Sequence, residues 1–146
     1  MSRMKRLLRG ISILLVMAAV GFFATPVVKS AFLPSSDDSD LIQRAWSARE
    51  SNVWVEAPAR VVRLLPDRDD LGHFQEFKVE LENGHVLRVM HDLEHAQRVP
   101  FSVGSEIRFR GEYDWSVDGG VLHWTHLDLT GQRDGGWIYY DGRKYH

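Results

Sequence analysis

The sequence predicts a mainly β protein whose folded part, residues 53–146, is a small five-stranded barrel. Two observations lead to this fold class. From Val53 onward, apolar and polar residues alternate in several short runs, and a period of two is the signature of a half-buried strand. The chain also holds seven Phe, five Trp and four Tyr, and aromatic residues favour sheets over helices. We therefore expect short strands separated by turns.

Residues 1–30 have the pattern of an export segment. Four basic residues precede an uncharged run over residues 10–28; they are Arg3, Lys5, Arg6 and Arg9. A basic region followed by an apolar one is typical of a signal peptide, and nineteen uncharged residues are also just enough for a transmembrane helix. A cleaved signal and an uncleaved membrane anchor fit these rules equally. Either one predicts export to the periplasm or cell envelope, with the protein secreted or held at the membrane.

Residues 31–40 form a polar linker, and residues 41–52 hold a short amphipathic helix. Asp40 is a residue type that caps helix N-termini, and Gln43 follows three positions later, as in a capping box. Four apolar residues share one face of this helix: Leu41, Ile42, Ala45 and Trp46. Such a face usually docks on the helix's own domain, so we expect the helix to pack on the barrel.

The first three predicted strands are separated by recognisable turn residues. The first strand covers residues 53–65 and must bend or lie at a sheet edge around Pro58, because proline cannot donate a backbone hydrogen bond. The second strand covers residues 73–81. An Asn-Gly pair then predicts a tight hairpin turn into the third strand, residues 85–90.

The last two predicted strands complete the pattern of a small Greek-key barrel. Residues 92–98 are expected to form one short helix or turn, and the clearest alternation of the chain follows at residues 107–115. An Asp-Gly-Gly turn leads into the fifth strand, residues 121–127, and a small hairpin around residues 141–142 ends the chain. Five strands with a short helix between the third and the fourth match the order of an OB-fold.

Three segments of the C-terminal half form a recognisable signature. They are Gly111-Glu-Tyr-Asp-Trp115, Gly119-Gly-Val-Leu-His-Trp-Thr-His126 and Gly135-Gly-Trp137. With weaker support from residues 69–75 and 91–92, the chain resembles over residues 53–145 a bacterial family known as domain of unknown function 3465. The resemblance implies a secreted or membrane-tethered, barrel-like domain and brings no activity with it. Where the family tends to have two further histidines this chain has Leu127 and Arg133, which removes two possible ligands from any metal site.

Composition narrows the classes of function. The chain has no cysteine, which excludes disulfides, thiolate metal sites and cysteine nucleophiles. Five of its 18 basic residues precede residue 30, so 13 basic and 20 acidic residues follow and give a net charge of −7. Nonspecific nucleic-acid binding depends on Lys and Arg at phosphates. A nucleic-acid partner is therefore not expected.

Histidines and carboxylates offer one candidate metal or polar cluster, formed by His73, His91, His126 and Asp128. On the predicted fifth strand, His123 and His126 are three residues apart and face opposite sides, so they cannot share an ion unless a bulge intervenes. His126 would instead need Asp128 on its own face and a histidine from a neighbouring strand. Hydrogen-bonded barrel histidines are the simpler interpretation. No cofactor and no catalytic residue are assigned.

Aromatic residues late in the chain form a candidate ligand surface, made of Tyr113, Trp115, Trp124, Trp137 and Tyr139. OB-folds use such side chains as stacking platforms for bases or sugars, although packing of the core and rim would also account for them. We expect a noncatalytic binding or interaction module of the cell envelope, with a protein, peptide or saccharide as its partner. The alternatives are a small metal-assisted hydrolase that uses the histidine cluster, and an OB-type oligonucleotide-binding protein.

Overall fold

The computed structural model describes residues 36–146. Within this range the chain forms one α-helix and seven β-strands: α1 Ser39–Ala48, β1 Val53–Leu64, β2 Phe74–Leu81, β3 Val86–Asp92, β4 Glu106–Asp114, β5 Val121–His123, β6 Trp137–Tyr140 and β7 Arg143–Tyr145. The predicted export segment, residues 1–30, lies outside the described residues. Among the described helices, none has both the length and the apolar character needed to cross a membrane.

Five of the strands close into a barrel, which confirms the predicted fold class. β1 pairs antiparallel with β2 along one edge and with β4 along the other. β2 pairs with β3, β3 runs parallel to β5, and β5 pairs with β4. This closed order, β1-β2-β3-β5-β4-β1, is the one expected for an OB-fold. β6 adds to the free part of the β4 edge and forms the predicted C-terminal hairpin with β7.

The inner faces of the strands form the hydrophobic core that the alternation predicts. In β2, for example, Phe77 and Val79 are fully buried, whereas Lys78 between them is partly exposed. The proline of β1 also lies where expected. Pro58 lies opposite Arg108 in the ladder between β1 and β4, whereas the ladder between β1 and β2 begins only at Ala59. On its β2 side, β1 is therefore an edge at this proline.

Helix α1 begins at Ser39, two residues before the predicted start at Leu41, and its N-cap residue is Asp38 rather than Asp40. A tertiary contact explains the difference. The backbone N–H of Asp38 donates to the carbonyl oxygen of Glu56 at 2.9 Å, and Oδ2 of Asp38 accepts from the N–H of Glu56 at 2.8 Å. This two-way link to β1 fixes where the helix begins.

The apolar face of α1 packs on the barrel, as expected for a helix that docks on its own domain. Ile42 and Ala45 are buried in the barrel core. At the rim of the same face, Nε1 of Trp46 donates to the carbonyl oxygen of Ser116 at 3.1 Å. The helix therefore covers part of the barrel instead of presenting this face to a partner.

The connection from β3 to β4 begins with a turn, which is one of the two alternatives that the sequence left open. Oδ1 of Asp92 accepts from the N–H of Glu94 at 2.8 Å, and the N–H of Ala96 donates to the carbonyl oxygen of Asp92 at 3.0 Å. The second bond closes a single turn that does not continue as a helix. His95 lies on this turn, beside the end of β3.

The fifth strand is shorter than predicted. It ends at His123 instead of residue 127, because Trp124 adopts a left-handed backbone conformation with φ of 55°. Residues 124–136 then form a loop, here called the β5–β6 loop, before β6 takes up pairing with β4. The predicted alternation of faces between residues 123 and 128 is therefore wrong, and this error changes the expected site.

Candidate functional site

A pocket of about 370 Å³ lies between the β3–β4 turn and the β5–β6 loop. Its lining includes His95 from the turn and Trp124, His126, Leu127, Leu129 and Arg133 from the loop. Both segments follow short strands of the parallel β3–β5 pair. The closure of the barrel therefore brings together two segments that lie about thirty residues apart along the chain.

Asp128 holds the β5–β6 loop in shape. Its Oδ1 accepts from the N–H and the hydroxyl of Thr130 at 2.9 and 2.6 Å, and its Oδ2 accepts from the N–H of Arg133 at 2.7 Å. These bonds, first of all the one from the Thr130 hydroxyl, lower the pKa of Asp128. The loop is closed by the N–H of Gly136, which donates to the carbonyl oxygen of His126 at 2.7 Å. Asp128 therefore organises the loop and does not join a histidine cluster.

Three rings lie next to one another along one side of the pocket. The rings of His95 and His126 lie 4.9 Å apart with an angle of 21° between their planes, and the ring of Trp124 lies 5.2 Å from that of His126. Nδ1 of His126 is 2.9 Å from the carbonyl oxygen of Leu127, and Nδ1 of His95 is 2.8 Å from Oδ2 of Asp92. Since these oxygens only accept, Nδ1 is the protonated nitrogen in the neutral form of each ring, and Nε2 then has the lone pair.

His91 belongs to the core rather than to the pocket. Its side chain is fully buried, with Nδ1 2.8 Å from Oγ1 of Thr125 and Nε2 3.0 Å from the carbonyl oxygen of Gln97. The carbonyl requires a proton on Nε2, so Nδ1 accepts from the threonine hydroxyl. Burial lowers the pKa of His91, and this outweighs the opposing hydrogen bond to Gln97. The imidazole is therefore neutral and has no lone pair left for a metal ion.

The four predicted cluster residues are not brought together. His73 is half exposed in the connection before β2, where its Nδ1 lies 2.5 Å from Oδ1 of Asp69. In the described part of the chain, two groups of potential ligands have atoms within 4.8 Å of one another. The first is Asp92, His95 and His126, and the second is Glu112, Asp114 and His123. Of the predicted cluster, the first group keeps only His126.

The second group is an ion-pair network on β4 and β5. Nε2 of His123 lies 2.7 Å from Oδ2 of Asp114 and 3.9 Å from Oε1 of Glu112. A guanidinium nitrogen of Arg133 donates to Oε2 of Glu112 at 3.0 Å. Arg133 covers Glu112, which is buried although the alternation of residues 107–115 predicts an exposed carboxylate at this position. The guanidinium supplies the positive charge that a metal ion would otherwise bring.

The predicted aromatic surface is divided among several places. Tyr113 is wrong as a surface residue, because its side chain is fully buried and its hydroxyl donates to the carbonyl oxygen of Gly119 at 3.2 Å. Burial raises the pKa of Tyr113 to about 12. The three tryptophans each have a cationic side chain over the ring. Arg49 lies 5.5 Å from the ring centre of Trp115, Arg133 lies 4.6 Å from that of Trp124, and Lys144 lies 4.4 Å from that of Trp137. Tyr139 is partly buried on β6. Of these five aromatic residues, only Trp124 lines the pocket.

Sequence reasoning missed His95. The signal was the spacing between Asp92 and His95, because a residue three positions on returns to the same side when the chain forms a single turn. The strand assigned to residues 121–127 also hid the pocket, since a regular strand would have sent His126 and Leu127 to opposite faces.

Comparison with known proteins confirms the resemblance inferred from the glycine, histidine and tryptophan segments. The family model described as "Protein of unknown function (DUF3465)" matches residues 25–146. No curated protein matches the chain.

Proposed function

The chain belongs to the DUF3465 family of proteins of unknown function, and we propose that it is a noncatalytic binding module. Its ligand is a peptide or protein segment that inserts an apolar side chain into the pocket of the β5–β6 loop. The observation that supports this proposal is the apolar rim of the pocket. Leu127 and Leu129 are 44% and 86% exposed there, and an apolar pocket with a few polar groups is the common form of a binding site.

The tryptophan contacts favour a peptide over a saccharide. Sugar rings bind by stacking on open aromatic faces, but the guanidinium of Arg133 lies over the ring of Trp124 at 4.6 Å. The ring of His126 lies next to the same indole at 5.2 Å. Much of the surface that a sugar would use is therefore already in contact, whereas the leucine side chains at the rim remain available.

The charges argue against the oligonucleotide alternative. Four arginines of the barrel wall pair with carboxylates of the same wall or of the β5–β6 loop: Arg60 with Glu80, Arg88 with Glu76, Arg108 with Glu56 and Arg110 with Asp134. These guanidinium groups are thus compensated within the domain, and the net charge of −7 beyond residue 30 would repel phosphates.

The hydroxyl groups near the pocket do not favour a hydrolase. Thr125 forms a hydrogen-bonded pair with His91, but both side chains are fully buried and no substrate can reach them. The hydroxyl of Thr130 donates to Asp128 as part of the loop structure. A nucleophile needs both an adjacent base and access to substrate, and neither threonine combines the two.

The binding proposal is tested with random heptapeptides displayed on phage and selected against the immobilised full chain. We expect the selected peptides to share a large apolar residue and to bind Leu129→Asp at least about tenfold more weakly, because a charge at the rim must be desolvated. Leu71→Asp is the matched control, since Leu71 is also exposed, at 74%, and does not line the pocket. Binding would be measured by isothermal titration calorimetry. Selection of no peptide, or equal effects of both substitutions, would refute the proposal.

We propose further that residues 1–30 export the domain to the cell envelope. Support comes from the basic residues before the apolar run of residues 10–28. The test is a fusion of alkaline phosphatase after His146, because this enzyme is active only outside the cytoplasm. We expect phosphatase activity in the native fusion and its loss in Leu14→Arg. Ser36→Arg, outside the apolar run, should retain activity. An inactive native fusion, or an unaffected Leu14→Arg fusion, would contradict export through this segment.

A further inference from the structure

We propose that Asp92, His95 and His126 form a binding site for a divalent transition-metal ion of the Zn²⁺ type at the edge of the pocket. Ligand atoms of the three residues lie within 4.8 Å of one another. Two imidazoles and one carboxylate are a ligand set that suits Zn²⁺ and its neighbours in the first transition row. This inference goes beyond the proposed function, because the ion can bind whether or not a peptide enters the pocket.

His126 is already oriented as a metal ligand is, and His95 already faces Asp92, the third member of the group. Ligating histidines usually donate one ring N–H to a carboxylate or a backbone carbonyl, which fixes the ring and directs the other nitrogen to the ion. Nδ1 of His95 has Oδ2 of Asp92 at 2.8 Å, and Nδ1 of His126 has the carbonyl oxygen of Leu127 at 2.9 Å. Nε2 of His126 is therefore available for coordination, whereas an ion shared by His95 and Asp92 would replace the proton between Nδ1 and Oδ2.

The charge around Asp92, His95 and His126 suits a cation better than the charge around the second group of potential ligands on β4 and β5. Asp92 contributes a carboxylate, and its Oδ1 accepts only one backbone N–H, that of Glu94. Arg133 is the cationic lining residue of the pocket, but its guanidinium is directed to Glu112 and to the ring of Trp124. In the group formed by Glu112, Asp114 and His123, by contrast, that same guanidinium is a direct partner.

A small movement of the β3–β4 turn would complete the coordination. Zn–N bonds of about 2.0–2.1 Å place the donor atoms of a tetrahedral site roughly 3.3 Å apart, closer than the 4.8 Å limit within which the donors lie. His126 is buried, whereas the side chain of His95 is 49% exposed on its turn. His95 therefore has room to adjust. With three protein ligands, the fourth position faces the pocket and is open to water or to a ligand group.

For the test, the full chain is purified without a histidine tag and stripped of metal with a chelator. It is then titrated with Zn²⁺, followed by calorimetry, and with Co²⁺, followed by visible absorption. We expect one ion per chain and a tetrahedral-type Co²⁺ spectrum. His95→Ala and Asp92→Asn should each weaken binding at least about tenfold. His73→Ala is the matched control, because His73 is equally exposed, at 50%, and pairs with an aspartate in the same way. It should bind as the native chain does.

The proposal is overturned if no stoichiometric ion binds at micromolar concentration, or if His73→Ala loses as much affinity as His95→Ala. Circular dichroism of each variant ensures that a lost ion does not reflect a lost fold. His95 and Asp92 are substituted because His95 lies on the turn, Asp92 lies at the end of β3, and neither is buried. Peptide binding measured with excess chelator separates the two proposals. Metal binding without peptide selection refutes only the proposed function, and peptide binding without an ion refutes only the metal site.

Discussion

Gly136→Ala is expected to destabilise the protein by about 3 kcal/mol or more and to lower Tm by more than roughly 10 °C. A Cβ atom at this position would lie 1.9 Å from the carbonyl oxygen of Trp124, 2.5 Å from that of Arg110 and 2.9 Å from Cα of Thr125. All three are backbone atoms, so no side-chain rotation can relieve the contact. The loop would have to move away from β4 and give up the bond from Gly136 to His126. Thermal denaturation followed by circular dichroism measures the effect.

Gly131→Ala is the control for this experiment, because it adds the same methyl group to the same loop. Gly131 has no heavy atom within 4 Å of the added Cβ, but its φ of 69° is unfavourable for alanine. Gly131→Ala should therefore lower the free energy of unfolding only by the cost of placing alanine in the left-handed conformation, about 1 kcal/mol. Similar losses for the two variants would show that the close approach of Gly136 to the neighbouring backbone is not what determines its identity.

His91→Leu is expected to cost about 1–3 kcal/mol, although leucine fills a similar volume. The substitution leaves the hydroxyl of Thr125 buried without its partner, and an unsatisfied buried group costs about 1–3 kcal/mol. Gln97 is exposed, so its carbonyl can bond water instead. His85→Leu is the comparison, since Nε2 of His85 also bonds a carbonyl oxygen, that of Gly119 at 2.7 Å, but at a partly exposed position. We expect His85→Leu to cost less than about 1 kcal/mol. Urea denaturation of the three proteins gives the differences.

The pH dependence of stability provides a second readout for the same substitution. Because burial lowers the pKa of His91 from 6.5, the unfolded chain binds more protons than the folded one as the pH falls through 6.5. The free energy of unfolding must then decrease with falling pH until the folded-state pKa is passed. His91→Leu should lack this part of the decrease. The measurement is urea denaturation between pH 8 and pH 5. If the free energy of unfolding changes equally with pH in the presence and absence of His91, this histidine is not the group responsible.

Strands whose burial depends on local alternation could be predicted from the sequence. In β4, Ile107 and Phe109 lie in the core because the charged residues between them require the opposite face. The same alternation places Tyr113 in the core, so its assignment to a ligand surface contradicted a signal that was already present. Glu112 could not be assigned in this way, since its burial depends on Arg133, a residue of the distant β5–β6 loop.

The site was harder to predict than the fold because it depends on where β5 ends. Residues 121–127 have the composition of a strand, and nothing local requires Trp124 to adopt a positive φ. β5 and β6 compete for the same edge of β4, although they are separate segments. Because β6 pairs with β4 at Arg108–Arg110, the chain after β5 must leave that edge. His126 was identified as a candidate, but its partner His95 was missed because their contact joins the β3–β4 turn to the β5–β6 loop, two segments distant in sequence.

The division of the β4 edge between β5 and β6 gives the barrel a narrow seam. Two residue pairs join β3 to β5, Arg88 with Val121 and Val89 with Leu122, and β5 itself is three residues long. Of the contacts that close the barrel, this one has the fewest paired residues. Local opening should therefore cost less at this seam than between β1 and its long neighbours. An opened seam exposes the facing edges of β3 and β5, which can pair with another chain and so lead to aggregation.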